Sequence, residues 1–572
     1  MSDLRTSISR PYLPPPPDVG EFPGGYVIPA THVSTIAYRM GQVVKHQSDY
    51  YRAINDVPRG SVSPADDTDN WVQITDEVEE APFEQPGMAP GAVAYFQQRL
   101  IFAGSSAAPN TVWASAVGDM ENFFPGAYDS EPWTFDLISD KADIIQWISS
   151  REVIVVGSAS NEWVLVGGSQ GITPSFIDAR RQTTIGSAPI QGTMANENIV
   201  FVQRGDRKVR EYQYQNELQA YRSPDLTFFS DHILKGRAQS MAWQSDPDPI
   251  LWLRVGDGTL AAMTYDNGKN LAGWHRHVTQ GEIESMCVVP GKEDDEIWIA
   301  VKRVVNGNTV RYLERSATRR PARQDDAFHV DSGITLDGGP PMELSAATAA
   351  DPVEVTVTDH GLTTGDLVRM TDIEGMTELE GRGFAVTVVD ANTFTLDNED
   401  GTGLDPATAG NVTKVYARVD GLDHLEGEEV AVAVDGGPHA RRTVESGEIT
   451  LDAGTYGNVI HVGLPYDARV QTMNILAAAP EAKRGRIHRA RIRFIESTQA
   501  KVGAREDLVS EIIFREPTTP YGQVAQMFTG EKSVELTEGH GTDKRVFIMS
   551  DQPTPLTIAV ILPELGAYAG GG

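Results

Sequence analysis

One cysteine, Cys287, stands in 572 residues. A single thiol closes no intramolecular disulfide and supplies no cysteine-based zinc site. Positive charge is scarce as well: 48 Lys and Arg face 80 Asp and Glu, a net charge of −32. Proteins that grip nucleic-acid phosphates need a basic surface, so groove-binding regulators and packaging enzymes are disfavoured. No run reaches the ~18 apolar residues of a membrane helix, so no membrane segment is expected. Residues 1–10 are polar and lead into four consecutive prolines at 14–17, unlike a secretory signal, which points to synthesis in the cytosol. Helical periodicity is convincing nowhere.

The length suggests about three or four domains, and 40% hydrophobic residues support real cores. The 54 Gly and 34 Pro favour a turn-rich architecture, and the expected class is all-β and multidomain. Residues 1–29 read as a Pro-rich extended arm, with polyproline II at 14–17 and a break at Gly24-Gly25; it is either a tether or a segment that orders on a neighbour. A small β module follows at 30–80, marked by Tyr38, Gly41, Val43, Tyr50, Tyr51 and Trp71. This pattern resembles the small chitin-binding-type carbohydrate modules, which makes Tyr50, Tyr51 and Trp71 candidates for stacking on sugar rings. The competing reading is that they form the core of a module too small to have another.

Residues 90–318 carry an internal repeat. Five strand pairs recur, and their second strands place an aromatic at Trp113, Trp163, Tyr212, Tyr265 and Tyr312, spaced by 50, 49, 53 and 47 residues. A steady period near 50 built of hairpins with Gly, Asp and Asn turns predicts a β-propeller with about five visible blades; a β-sandwich with accidental spacing is the alternative. Residues 319–342 form a charged, Gly-rich linker. Residues 343–416 read as an inserted small β module, with Asp359-His360-Gly361-Leu362-Thr363-Thr364-Gly365-Asp366, Gly375-Met376-Thr377-Glu378-Leu379 and Asn392-Thr393-Phe394-Thr395-Leu396. It resembles the first catalytic cysteine half-domain of ubiquitin-activating enzymes, a fold that recurs as a spacer in phage structural proteins. No cysteine lies inside it, so thioester chemistry does not carry over. Residues 417–572 are again alternating strands, a C-terminal β platform.

Four features invite a chemical reading. Gly167-Gly168-Ser169-Gln170-Gly171 fits the nucleophile-elbow string, but Ile172-Thr173-Pro174 is a poor start for the helix that chemistry requires. His275 and His277 project to one face of a strand, without a clear third metal ligand at motif spacing. Acidic clusters at Asp66, Asp67 and Asp69, at 293–296, and at Asp397, Glu399 and Asp400 miss the calcium-loop register and read as solvated turns. No catalytic, cofactor or metal site is therefore expected. The strongest basic feature runs from Lys483 to Phe494: on a strand, Arg489, Arg491 and Arg493 line one face while Ala490, Ile492 and Phe494 line the other. Such a stripe calls for acidic partners, whether carboxylates of another subunit, a neighbouring protein or DNA phosphates.

Several strings taken together resemble the tail-nozzle proteins of short-tailed phages, the tail tubular protein B or phage stabilisation family. They are Gln98-Arg99-Leu100-Ile101-Phe102-Ala103-Gly104-Ser105, Val112-Trp113-Ala114-Ser115 with Gly118-Asp119, and Phe201-Val202-Gln203-Arg204-Gly205. To these add Gly273-Trp274-His275-Arg276-His277 and Gly421-Leu422-Asp423-His424-Leu425-Glu426-Gly427. The resemblance implies a virion structural protein without enzymatic activity: a hexameric ring below the portal and head-to-tail adaptor, contacting tail fibres, with DNA passing through its lumen unbound. It implies location in the virion tail after assembly in the host cytoplasm. The family usually places a long β-rich segment before the propeller, where only the arm and the small module stand here. The rival expectations are a sugar-binding or polysaccharide-degrading tail protein and a cellular propeller adaptor.

Overall fold

The computed structural model describes residues 4–6, 34, 43–74 (less 48, 56, 59 and 61), 83 and 87–567, less 124–127, 141–142, 169–170, 218–219, 270, 293, 476–484, 516–523 and 538–543. The prolines at 14–17 and the Gly24-Gly25 break lie outside the described residues. Those residues form β-strands and short 3-10 turns with no α-helix, so the protein is all-β. The chain divides into two compact units, residues 12–277 and residues 1–11 with 278–572.

In the first unit a three-stranded antiparallel sheet of Val43–His46, Asp49–Ala53 and Trp71–Ile74 precedes four four-stranded meanders. The first meander comprises Ala92–Phe96, Arg99–Ala103, Thr111–Ala114 and Trp133–Asp136. The second comprises Ile145–Ser150, Ile154–Ser158, Glu162–Val166 and Asp178–Thr183. Thr193–Ala195, Asn198–Val202, Val209–Gln215 and Ala220–Arg222 form the third, and Ala238–Gln244, Ile250–Val255, Leu260–Asp266 and Leu271–His277 the fourth. Each runs antiparallel in sequence order, so every sheet is local.

The repeat pairs are the two central strands of these sheets. Ile154–Ser158 is buried throughout and Ile250–Val255 nearly so, which is why they read as continuous apolar runs. Apolar clusters join consecutive sheets: Ile101, Val112, Ile154 and Leu165 between the first and second, Val155, Val164, Ile199 and Phe201 between the second and third, and Val200, Val209, Leu253 and Met263 between the third and fourth. At the second sheet Gly157 lets Trp147 lie flat on the backbone, since a Cβ there would meet the indole Cε2 at 2.1 Å.

The fifth repeat pair corrects the expected series. Glu296–Val305 and Asn308–Ser316 lie in the second unit, in an eight-stranded sheet ordered Glu282–Val289, Glu296–Val305, Asn308–Ser316, Leu4–Thr6, Asp331–Asp337, Val459–Leu464, Glu429–Val434 and Gly437–Thr443. The division therefore falls between residues 277 and 278, ahead of the expected boundary at 318. Leu4–Thr6, from the expected arm, pairs antiparallel with Asn308–Ser316 and parallel with Asp331–Asp337.

The module at 343–416 is a seven-stranded arrangement from Met342–Leu344 to Ala409–Val415, closed around its own core of Val355, Val368, Met370, Phe394 and Val412. It is inserted between Asp331–Asp337 and Glu429–Val434 of the eight-stranded sheet. Asn458 holds both of its ends: its amide nitrogen donates to the carbonyls of Gly339 (3.1 Å) and Lys414 (2.9 Å), and its carbonyl accepts from the Gly338 amide (3.0 Å). Beyond it, a four-stranded sheet and the three-stranded sheet of Phe528–Glu535, Gly485–Ser497 and Thr557–Ala567 enclose Ile492, Phe494, Val502, Phe514 and Ile548 as a sandwich.

Candidate functional site

The Arg stripe lies where period-2 alternation places it. On Gly485–Ser497, Ala490, Ile492 and Phe494 are fully buried, Arg489 is half-buried, and Arg491 and Arg493 are exposed. Its nearest acids belong to the same sheet. Arg491 Nε meets Glu564 at 3.1 Å, and Arg489 meets Glu535 at 3.4 Å and Glu564 at 3.9 Å. Arg493 stands opposite Glu531 on one side and the exposed Val560 on the other. The face thus mixes partly compensated cations with the exposed apolar side chains of Val560 and Leu562.

The proposed sugar platforms need correction. Tyr51 and Trp71 are buried and pack with Val44, Ala53 and Val57 as the core of the small module, so neither offers a free ring face. Tyr50 pairs through its backbone with Lys45 and Ile74, and its side chain lies outside the described residues. His275 and His277 do share a face, with Nδ1 and Nε2 2.7 Å apart, and both pack against Trp252. Among the described residues no group of three or more His, Cys, Asp or Glu is placed to hold a metal. After Glu162–Val166, residues Gly168 and Gly171 and then Thr173 and Phe176 form isolated bridges instead of a helix, and Ser169 lies outside the described residues. The acidic clusters are engaged locally: Asp66 accepts from Ser63 Oγ at 2.7 Å, Glu296 pairs with Arg315, and Glu399 takes a bidentate pair from Arg382 at 2.8 and 2.7 Å.

Several buried polar groups had no sequence signal. Arg99 is buried in the first meander, where its guanidinium donates to the carbonyls of Ser115 (2.6 Å), Glu131 (2.7 Å) and Asp129 (2.6 Å). Burial pushes its pKa down to about 10, with Asp129 opposing. Glu162 accepts from Thr183, from Ser187 Oγ (3.1 Å) and from the Ile185 amide (3.3 Å), and burial still raises its pKa. In the second unit Arg303 and Glu314 form a bidentate pair at 2.8 and 2.7 Å, with side chains only 2% and 0% exposed. His424 is buried too; its Nε2–H donates to the Ser332 carbonyl at 2.8 Å, and burial lowers its pKa.

The first unit also holds a cavity of about 480 Å3 between the second and third meanders. Tyr212, Tyr214 and Tyr221 line one side, and Arg151, Glu152 and Gln182 come from the other. Tyr212 and Tyr221 stack at 4.6 Å and 13°, and Tyr214 meets Tyr221 at 5.0 Å and 60°. The aromatic signal that marks the third strand of each meander registers Tyr212, while the pairing Tyr214↔Tyr221 required the hairpin to be seen.

No curated protein matches this chain. Among solved structures it is similar to a protein from Lactobacillus plantarum at 9% identity, over 57% of this chain and 88% of that one, with a TM-score of 0.28. A putative exported protein of Bacteroides fragilis is similar at 10% identity, over 51% and 93%, with a TM-score of 0.23. A structure described as a glycoside hydrolase is similar at 10% identity, over 83% and 96%, with a TM-score of 0.22. Likenesses at these TM-scores carry no inference. Residues 351–415 match the family described as the ubiquitin-activating enzyme E1 FCCH domain, and that stretch lies wholly within the seven-stranded inserted module.

Proposed function

We propose that the chain is a structural protein of a phage tail, a nozzle ring that extends the channel through which DNA leaves the head. The observation that supports this reading is the architectural role of the strings behind the resemblance. Gln98 to Ser105 supplies Arg99, which fastens three carbonyls of the first meander, and Ser115 Oγ accepts the Leu100 amide at 2.9 Å. Gly421 to Gly427 begins and ends on glycines at φ +78° and +81° and seats His424 against Ser332. Residues with these tasks hold a scaffold together. In this reading the four meanders are blades of a propeller, and six copies, each of −32, bring −192 to the ring. Acidic walls repel phosphates and let DNA pass without adhering. The Arg489, Arg491 and Arg493 face, with Val560 and Leu562 beside it, is the contact to a neighbouring subunit or tail protein. Electron microscopy of labelled virions tests the reading: a six-fold collar below the head is expected, and a label on peripheral fibres, or a strongly basic lumen in the assembled ring, overturns it.

A further inference from the structure

We propose that the cavity between the second and third meanders is a binding site for a neutral oligosaccharide, stacked on Tyr214. The proposal holds whether or not the chain forms a ring. A volume of about 480 Å3 falls within the ~300–1,000 Å3 of small-ligand sites. Tyr212 and Tyr214 share a face of Val209–Gln215, and Tyr221 on the next strand sits directly opposite Tyr214. Together they make an aromatic floor that steps from the buried Tyr212 to Tyr214, which is 47% exposed. Such a floor receives a ring that is apolar on its face and polar at its edge, which describes a pyranose.

The polar rim narrows the class further. Among the charged side chains that line the cavity, Arg151 and Arg180 offset Glu152 and Glu197 in formal charge, so the site favours a neutral ligand. A phosphate-bearing ligand would gain little there, and the chain's overall charge of −32 would repel it. Arg151 is itself placed by a hydrogen bond to the Glu197 carbonyl, which leaves its position fixed at the mouth. The Tyr212 hydroxyl is buried and has no hydrogen-bond partner among the described residues. That hydroxyl is sealed from solvent, so a ligand would meet the tyrosine rings and take its hydrogen bonds from the polar rim. Burial raises the pKa of Tyr212 and of Tyr221, so both stay protonated at neutral pH.

The test uses the full chain on an array of neutral bacterial-surface oligosaccharides built of hexoses and N-acetylhexosamines, followed by calorimetry on the best ligand. Tyr214→Ala is expected to weaken binding about tenfold or more, and Tyr214→Phe, which keeps the ring, to stay within about twofold of the parent. Because Tyr214 is half exposed, neither variant threatens the fold, and thermal melting checks that directly. Binding that survives Tyr214→Ala places the sugar elsewhere and overturns the proposal. So does an array on which the parent chain binds nothing at millimolar concentration.

Discussion

The two units solve the same problem, burying β-sheet, by opposite routes. In residues 12–277 the described strands pair only with sequence neighbours inside their own sheet, and burial comes from stacking one local sheet on another. In the second unit the eight-stranded sheet gathers segments from residue 4 to residue 464 and is interrupted by a module with a core of its own. Local sheets nucleate cheaply, whereas sheets with long-range pairing meet the loop-closure cost first, so the first unit is the one expected to order sooner. The ionisable groups differ in kind too. The first unit buries carboxylates held by hydroxyls and amides, Glu162 above all. The second buries a matched ion pair, Arg303 with Glu314.

The sharpest way to break the contrast is to unpair that charge. Arg303→Ala strands the Glu314 carboxylate and should cost about 3–5 kcal/mol, whereas replacing both partners by apolar residues should recover most of the loss. Urea unfolding combined with hydrogen exchange on Glu296–Val305 and Asn308–Ser316 reads the effect; equal stability in the single and double variants would remove the pair from the account. A packing defect in the first unit should be smaller. Gly157→Ala drives a methyl into Trp147 and should cost about 1–3 kcal/mol, visible as a lower midpoint with altered tryptophan fluorescence.

The subtlest difference is the response to acid. Burial raises the pKa of Glu162, so between the ordinary carboxylate value and that raised value the native state holds more protons than the unfolded chain. Its contribution therefore grows as pH falls through that window. His424 is lowered from 6.5, so below 6.5 the unfolded chain takes up a proton that the native state refuses, and its contribution is lost as pH falls. In unfolding measured from pH 7 to pH 5, Glu162→Gln should lose stability more steeply than the parent as pH falls, and His424→Gln less steeply. Matching slopes in both variants would mean the two groups do not set the acid response.

How much of this was legible from residue order depends on burial. The central strands of the meanders were readable because both faces are covered, so Ile154-Val155-Val156 and Leu251-Trp252-Leu253 form unbroken apolar runs. Their outer strands were not: Asp178–Thr183 carries two exposed arginines side by side and buries no residue fully. The fifth pair misled because Ile297-Trp298-Ile299 has the same composition as a blade strand. Its alternating burial, however, marks a sheet covered mainly on one face, and Lys302 and Val304 farther along lie on the less covered side. The Arg stripe was readable because strand alternation is a local rule. The tyrosine cavity was not, because its walls come from 151–182 and 194–221, which only sheet stacking brings together. The small module misled in another way: aromatics in so short a chain segment serve as its core before any are left for a ligand.

Asn458 carries a consequence for the history of the molecule. Its side chain fastens the two adjacent chain ends that lead into and out of the inserted module, and from inside the module a side chain such as Arg369, which reaches Asp435 at 3.1 Å, adds to that attachment. Evolution can treat such a socket as an exchange point. Modules of different size and surface can be exchanged there, provided they keep the two adjacent ends and leave Asp435 a partner, while the sheet that receives them goes on folding unchanged.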